Sequence, residues 1–242
     1  MRPIDWPDAV EVRNRAGASD IVLLCEHASH FIPERYNGLG LSAIDLGRHI
    51  AWDIGAAEVA RRLSDALGAV AVLGGYSRLL IDLNRPLHSP ASIVTRSEAT
   101  DIPGNINIDE AERQSRIEGI FNPFHAFVSA HLDDRQASGR PTRIVSIHSF
   151  TPVYHGEARR WHGGVLFDKA QTYGDAVLAR LSDPGLVLGA NVPYQTGRDD
   201  DYGIPIHGDD RGIEAVMIEI RQDLISDAAG VEAWADRLSK AL

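Results

Sequence analysis

An α/β fold is expected from this chain: a single domain with a mostly parallel mixed sheet and helices on both faces. Short runs rich in Ile, Val and Leu alternate with longer segments of helical apolar spacing, the order that crossover helices between parallel strands require. Several of those runs are continuously apolar rather than alternating, as strands buried on both faces are. No seam divides the 242 residues, and a hydrophobic content of 44% suffices for one substantial core, so the domain is expected to span residues 1–242.

The first strand is Ile21–Cys25, bounded by Ser19-Asp20 and by Glu26-His27. After Pro33 and Asn37-Gly38, the stretch LSAIDLGRHIAWDIGAAEVARRLSDALG carries apolar residues at helical spacing, with Ser42 placed to cap a first helix and Gly68 to end a second. AVAVLGG (69–75) reads as a strand, and LLIDLN (79–84) as a third strand or its continuation. The weak pattern over 88–104, with Pro90, Pro103 and Gly104, predicts a surface loop. Asp109 caps a long helix reaching about Leu132, broken or kinked near Pro123. Strands follow over 142–150 and 162–168, then a helix over Gln171–Leu181. LVLGANVPY reads as a strand entering a loop, IEAVMIEIRQDLI as the last long strand and GVEAWADRLSKAL as a closing helix.

Charge and composition exclude several roles. The net charge of −10 argues against a nucleic-acid binder, which needs clustered Lys and Arg against phosphates. No apolar run approaches the roughly 18 residues of a membrane span. The single cysteine, Cys25, excludes an internal disulfide and reads as a small buried hydrophobe. With no charged-then-apolar leader at Met1, the expected compartment is the cytoplasm. The expected partner is a small molecule whose acidic groups meet local arginines.

Ligands of open α/β sheets bind at the carboxyl ends of parallel strands. His27 follows the first strand, His148 ends another, Asn84 and Arg85 follow LLIDL, and Glu219 sits within the last long strand. Two imidazoles and a carboxylate with one position open are the usual ligands of catalytic zinc, although a strand-end histidine is often only a satisfied loop residue. Asp53 stands where a helix begins, so capping competes with metal ligation for it. His49, four residues earlier, is a substrate-side alternative, and His30 reads as a cleft-wall residue. Arg85 can polarise a carbonyl or hold a carboxylate, or pair with Asp82; Arg78, Arg198, Arg211 and Arg221 are further candidates for a substrate carboxylate. Glu219 breaks an apolar strand, so it either pairs with Arg221 or takes a proton from an attacking water.

The motifs CEHASHFIP, AWDIGA, DLNRP, IHSF and IEIRQDL, in this order over residues 21–224, resemble the N-formylglutamate amidohydrolase family. That family looks like a distant relative of zinc carboxypeptidases and of the succinylglutamate desuccinylase and aspartoacylase group. The resemblance implies a zinc-dependent exopeptidase-like (phosphorylase/hydrolase-like) fold. It also implies one zinc per chain, replaceable by other divalent metals, on His27, Asp53 and His148, with His30 the alternative middle ligand. Asn84 and Arg85 match the pair that contacts the substrate carboxylate or scissile carbonyl, and Glu219 matches the general base. The expected reaction is zinc-dependent hydrolysis of the amide of an N-acylated acidic amino acid such as N-formyl-L-glutamate. Zinc and Arg85 would stabilise the oxyanion, Arg198 or Arg211 would bind the α-carboxylate, and His207 would line the pocket. The rivals are a carboxypeptidase-like metallopeptidase and a non-catalytic metal or small-ligand binding protein on the same fold.

Overall fold

The computed structural model describes residues 8–242. Its main sheet has seven strands: β1 (Val10–Arg13), β2 (Ile21–Cys25), β3 (Val70–Gly74), β4 (Arg143–Phe150), β5 (Gly163–Leu166), β6 (Leu188–Ala190) and β7 (Glu214–Arg221). Their spatial order is β1-β3-β2-β4-β7-β5-β6. The four central strands β3, β2, β4 and β7 run parallel, whereas β1 and β5 are antiparallel to their inner neighbours. The expected mixed, mostly parallel sheet is therefore present, with an added edge strand, β1, whose four residues are too short a signal to stand out in the sequence.

Among the described residues, six α-helices accompany the strands: α1 (Ala43–Leu46), α2 (Ala56–Leu67), α3 (Glu110–Arg116), α4 (Asn122–Ala137), α5 (Gln171–Leu181) and α6 (Ala228–Ala241). Every residue of β2 is buried, and its side chains divide between two cores. Leu23 and Cys25 pack with α2, α5 and α6, while Val22 and Leu24 face α4, including its Phe124, and the preceding Phe121. A π-helical turn at Ile117–Phe121 joins α3 to α4 just before Pro123, which lacks an N–H to continue a regular ladder.

Two sequence expectations give way. Residues 79–84 form buried turns rather than a strand, because β1 and β2 already occupy both edges of β3; their apolar side chains fill the core on the α4 side instead. Residues 47–54 are turns rather than helix, because their backbone is tied elsewhere: the Asp53 N–H donates to the His27 carbonyl at 3.0 Å, and the Ala51 carbonyl accepts from the Arg78 N–H and the Ser77 hydroxyl. The N-cap of α2 is thus Gly55, not Asp53. Gly55 has φ +80°, and a Cβ there would lie 2.2 Å from the Ile225 carbonyl oxygen. The predicted caps at Ser42, Gly68 and Asp109 are present.

The chain leaves β2 toward β3 on one side and returns to β4 on the other. The ends of β2 and β4 therefore flank a topological switch point, where a crevice opens at the carboxyl edge of the sheet.

Candidate metal centre

His27 follows β2 and His148 lies two residues before the end of β4, so the two imidazoles meet across that crevice, ring centroids 4.9 Å apart and nearly perpendicular. Asp53 reaches both from the turn tethered to the His27 carbonyl: its Oδ2 lies 2.8 Å from His148 Nδ1 and 3.4 Å from His27 Nδ1, and accepts the Ser149 N–H at 3.2 Å. The three residues are buried, with one donor atom from each within 4.8 Å of the others. His30, the alternative middle ligand, is exposed with its ring against Trp52.

The outer nitrogen of each imidazole is held by a carboxylate. His27 Nε2 lies 2.7 Å from Asp82 Oδ1, and His148 Nε2 lies 3.1 Å from Glu26 Oε2, which also accepts the Ser146 hydroxyl at 2.6 Å. These contacts fix both rings with Nδ1 toward Asp53, the arrangement by which proteins orient metal-binding histidines. Asp82 in turn pairs with Arg78, whose Nη1 reaches Asp53 Oδ1 at 3.5 Å. The alternative in which Arg85 pairs with Asp82 is not what the structure shows: Arg85 turns to Asp201.

Burial alone would raise these carboxyls, but their partners outweigh it. For Asp53 the opposing influences are His27 and His148, and for Asp82 chiefly Arg78, and both are held far below the usual carboxylate range. Glu26 is brought down to about 2, mainly by His148 and Ser146. Burial works against protonation of His148, yet Asp53 and Glu26 push its pKa well above the ordinary histidine value. Two Nδ1 donors and a carboxylate, oriented and set among buried anionic groups, are donor chemistry that fits a divalent cation such as zinc.

Glu219 stands opposite His148 in the β4–β7 ladder and lines the same cavity. Its Oε2 is buried without a partner among the described residues, and burial pushes its pKa up to about 8, against the pull of His148. Arg221 does not pair with it but with Asp223. The cavity measures about 410 Å³, and its wall includes Arg78, Arg85, His49, Tyr154, Tyr194, Met217 and Leu166.

Other expected site residues are placed elsewhere. Arg198 pairs with Asp210 and Arg211 with Asp133, both outside the cavity wall, because acidic neighbours on the surface hold them. His207 is buried against His125, its Nε2 2.9 Å from His125 Nδ1, and does not line the cavity. Asn84 does line it, but both ends of its amide engage the loop over 201–203. Sequence reasoning overlooked Glu26 and Asp201 as site residues and treated Asp82 only as an arginine partner. Glu26 adjoins His27, yet nothing in one sequence shows that it serves His148 across the crevice.

A family model described as N-formylglutamate amidohydrolase matches residues 19–226. The crystal structure of the Atu2144 gene product of Agrobacterium tumefaciens is 44% identical with a TM-score of 0.94, over 97% of this chain and 93% of that one. The N-formylglutamate amidohydrolase of Ralstonia eutropha JMP134 is 17% identical with a TM-score of 0.72, over 96% of this chain and 95% of that one, a likeness of fold. Comparison with curated proteins gives no match. With its motifs and most of its length matched, the chain belongs to the N-formylglutamate amidohydrolase family, hydrolases acting on C–N bonds.

Proposed function

We propose that this chain hydrolyses the amide of an N-acylated acidic amino acid, N-formyl-L-glutamate foremost, using a divalent metal, zinc first among them, held by His27, Asp53 and His148. The observation that carries this reading is the meeting, in one cavity, of the His27–Asp53–His148 cluster and the Glu219 carboxylate, whose Oε2 has no partner among the described residues. A metal at that cluster supplies Lewis acidity toward the acyl carbonyl and a water more acidic than bulk. In its ionised form Glu219 takes the proton of the attacking water and returns it to the departing amine nitrogen. Arg78 and Arg85 are the guanidinium groups of the cavity wall; Arg78 stands beside Asp53, where it can meet negative charge on the acyl oxygen, and Arg85 is placed for a substrate carboxylate. A buried base has no task in a binding protein, which favours the enzyme over the non-catalytic rival. The strand-end placement of the donors supports the zinc-exopeptidase kinship expected of the fold.

The test is formate release by zinc-supplied protein from N-formyl-L-glutamate and N-formyl-L-glutamine. Release from the first with poor release from the second is expected. Equal rates would indicate a broader acyl-amino-acid hydrolase, and no formate from either would remove the proposal.

A further inference from the structure

We propose that Asp201 is a positioning residue for Arg85, the arginine that meets a substrate carboxylate in the hydrolysis proposed above, on which this rests, and that it leaves the Nε/Nη2 edge of the guanidinium free for that contact. Arginine is a long, rotamer-rich side chain, and it recognises carboxylates well only when its planar fork is held. Here one nitrogen does the holding. Arg85 Nη1 donates to the carbonyl oxygens of Asn84 (3.1 Å) and Asp200 (2.7 Å) and to Asp201 Oδ1 (2.9 Å). Nε and Nη2 have no partner among the described residues, and the side chain remains 26% exposed in the cavity wall.

Asp201 is itself fixed. Its Oδ1 also accepts from Asn84 Nδ2 at 2.9 Å, and its Oδ2 from the Gly197 N–H at 3.3 Å. The following backbone is anchored where Asn84 Oδ1 accepts the N–H groups of Tyr202 (3.1 Å) and Gly203 (2.8 Å). Asn84 is therefore the clamp that carries this loop, and the substrate contact falls to Arg85. Asp201 meets the guanidinium at Nη1, leaving the Nε/Nη2 edge for an incoming carboxylate. The charge of Asp201 opposes a second anion, whereas its hydrogen bonds keep the fork in place. Because three donors converge on it, removing the side chain loosens Arg85, Asn84 and the loop together, and positioning dominates.

The experiment compares zinc-loaded wild type, Asp201→Ala and Asp201→Asn for zinc content, for kcat and KM on N-formyl-L-glutamate, and for glutarate binding by calorimetry. Asp201→Ala is expected to raise KM and weaken glutarate binding by about tenfold or more, with kcat within about threefold and zinc unchanged. Asp201→Asn keeps an acceptor oxygen and is expected to recover most of that loss. Tighter binding in both variants would make Asp201 a competing anion and overturn the proposal, as would no change in either. Glutarate binding reads the positioning even without turnover, so failure of the proposed reaction is separable from failure of this one.

Discussion

The carboxylates behind the imidazoles offer a quantitative test. Glu26→Gln keeps the shape of the side chain and one acceptor oxygen but removes the charge facing His148 Nε2 at 3.1 Å. A hydrogen bond to a charged group contributes about 1.5–3 kcal/mol and a neutral one about 0.5–1.5 kcal/mol, so the loss is about 1–1.5 kcal/mol, roughly tenfold in metal affinity. Asp82→Asn loses more: Asp82 holds His27 Nε2 at 2.7 Å and also accepts from Arg78 Nε and Nη2, at 3.0 and 2.7 Å. Charge-assisted contacts to two partners, His27 and Arg78, weaken together there, and the expected loss approaches about a hundredfold, the upper end for such outer carboxylates. Competition with a chromophoric zinc chelator measures both. Affinity within about twofold of wild type for Glu26→Gln, or a smaller loss for Asp82→Asn than for Glu26→Gln, would refute the argument that these contacts orient the rings.

Two further outcomes are expected. Glu219→Gln should retain its metal while kcat falls by about 10²–10⁴, the usual contribution of a positioned base; unimpaired turnover would remove Glu219 from that role. The buried pair His125 and His207, brought down by burial to about 3 and about 4, is neutral in the fold and protonated in the unfolded chain below about pH 6.5. The stability they confer is complete above that pH and drains as pH falls toward 4, at up to about 2–3 kcal/mol per pH unit for the pair. Denaturant unfolding at about pH 7 and about pH 5 checks this, and an equal pH slope in a His125→Gln, His207→Gln double variant would contradict it.

The strands that hold the centre were legible because β2, β4 and β7 are continuous buried runs, whose only disposition is the middle of a parallel sheet. With them came His27, His148 and Glu219, residues whose polarity at a strand end conflicts with burial. Asp53 was visible as a carboxylate near a helix start, but its task depends on a turn set by hydrogen bonds to His27 and to the chain around Arg78, contacts no local pattern encodes. LLIDLN has the composition of a strand and fills a core as turns, since strand propensity cannot register that the sheet has no free edge there. Glu26 and Asp201 act across sequence separations of 122 and 116 residues, on His148 and Arg85. Arg198 and Arg211 looked as available as Arg85 until their acidic neighbours were placed.

The central claim is that His27, Asp53 and His148 hold one divalent metal. Elemental analysis of purified wild type beside His27→Ala, Asp53→Ala and His148→Ala tests it directly. About one zinc per chain is expected in wild type, falling sharply in each variant; a wild type that takes up no metal after reconstitution, or three variants that bind as it does, would contradict the account.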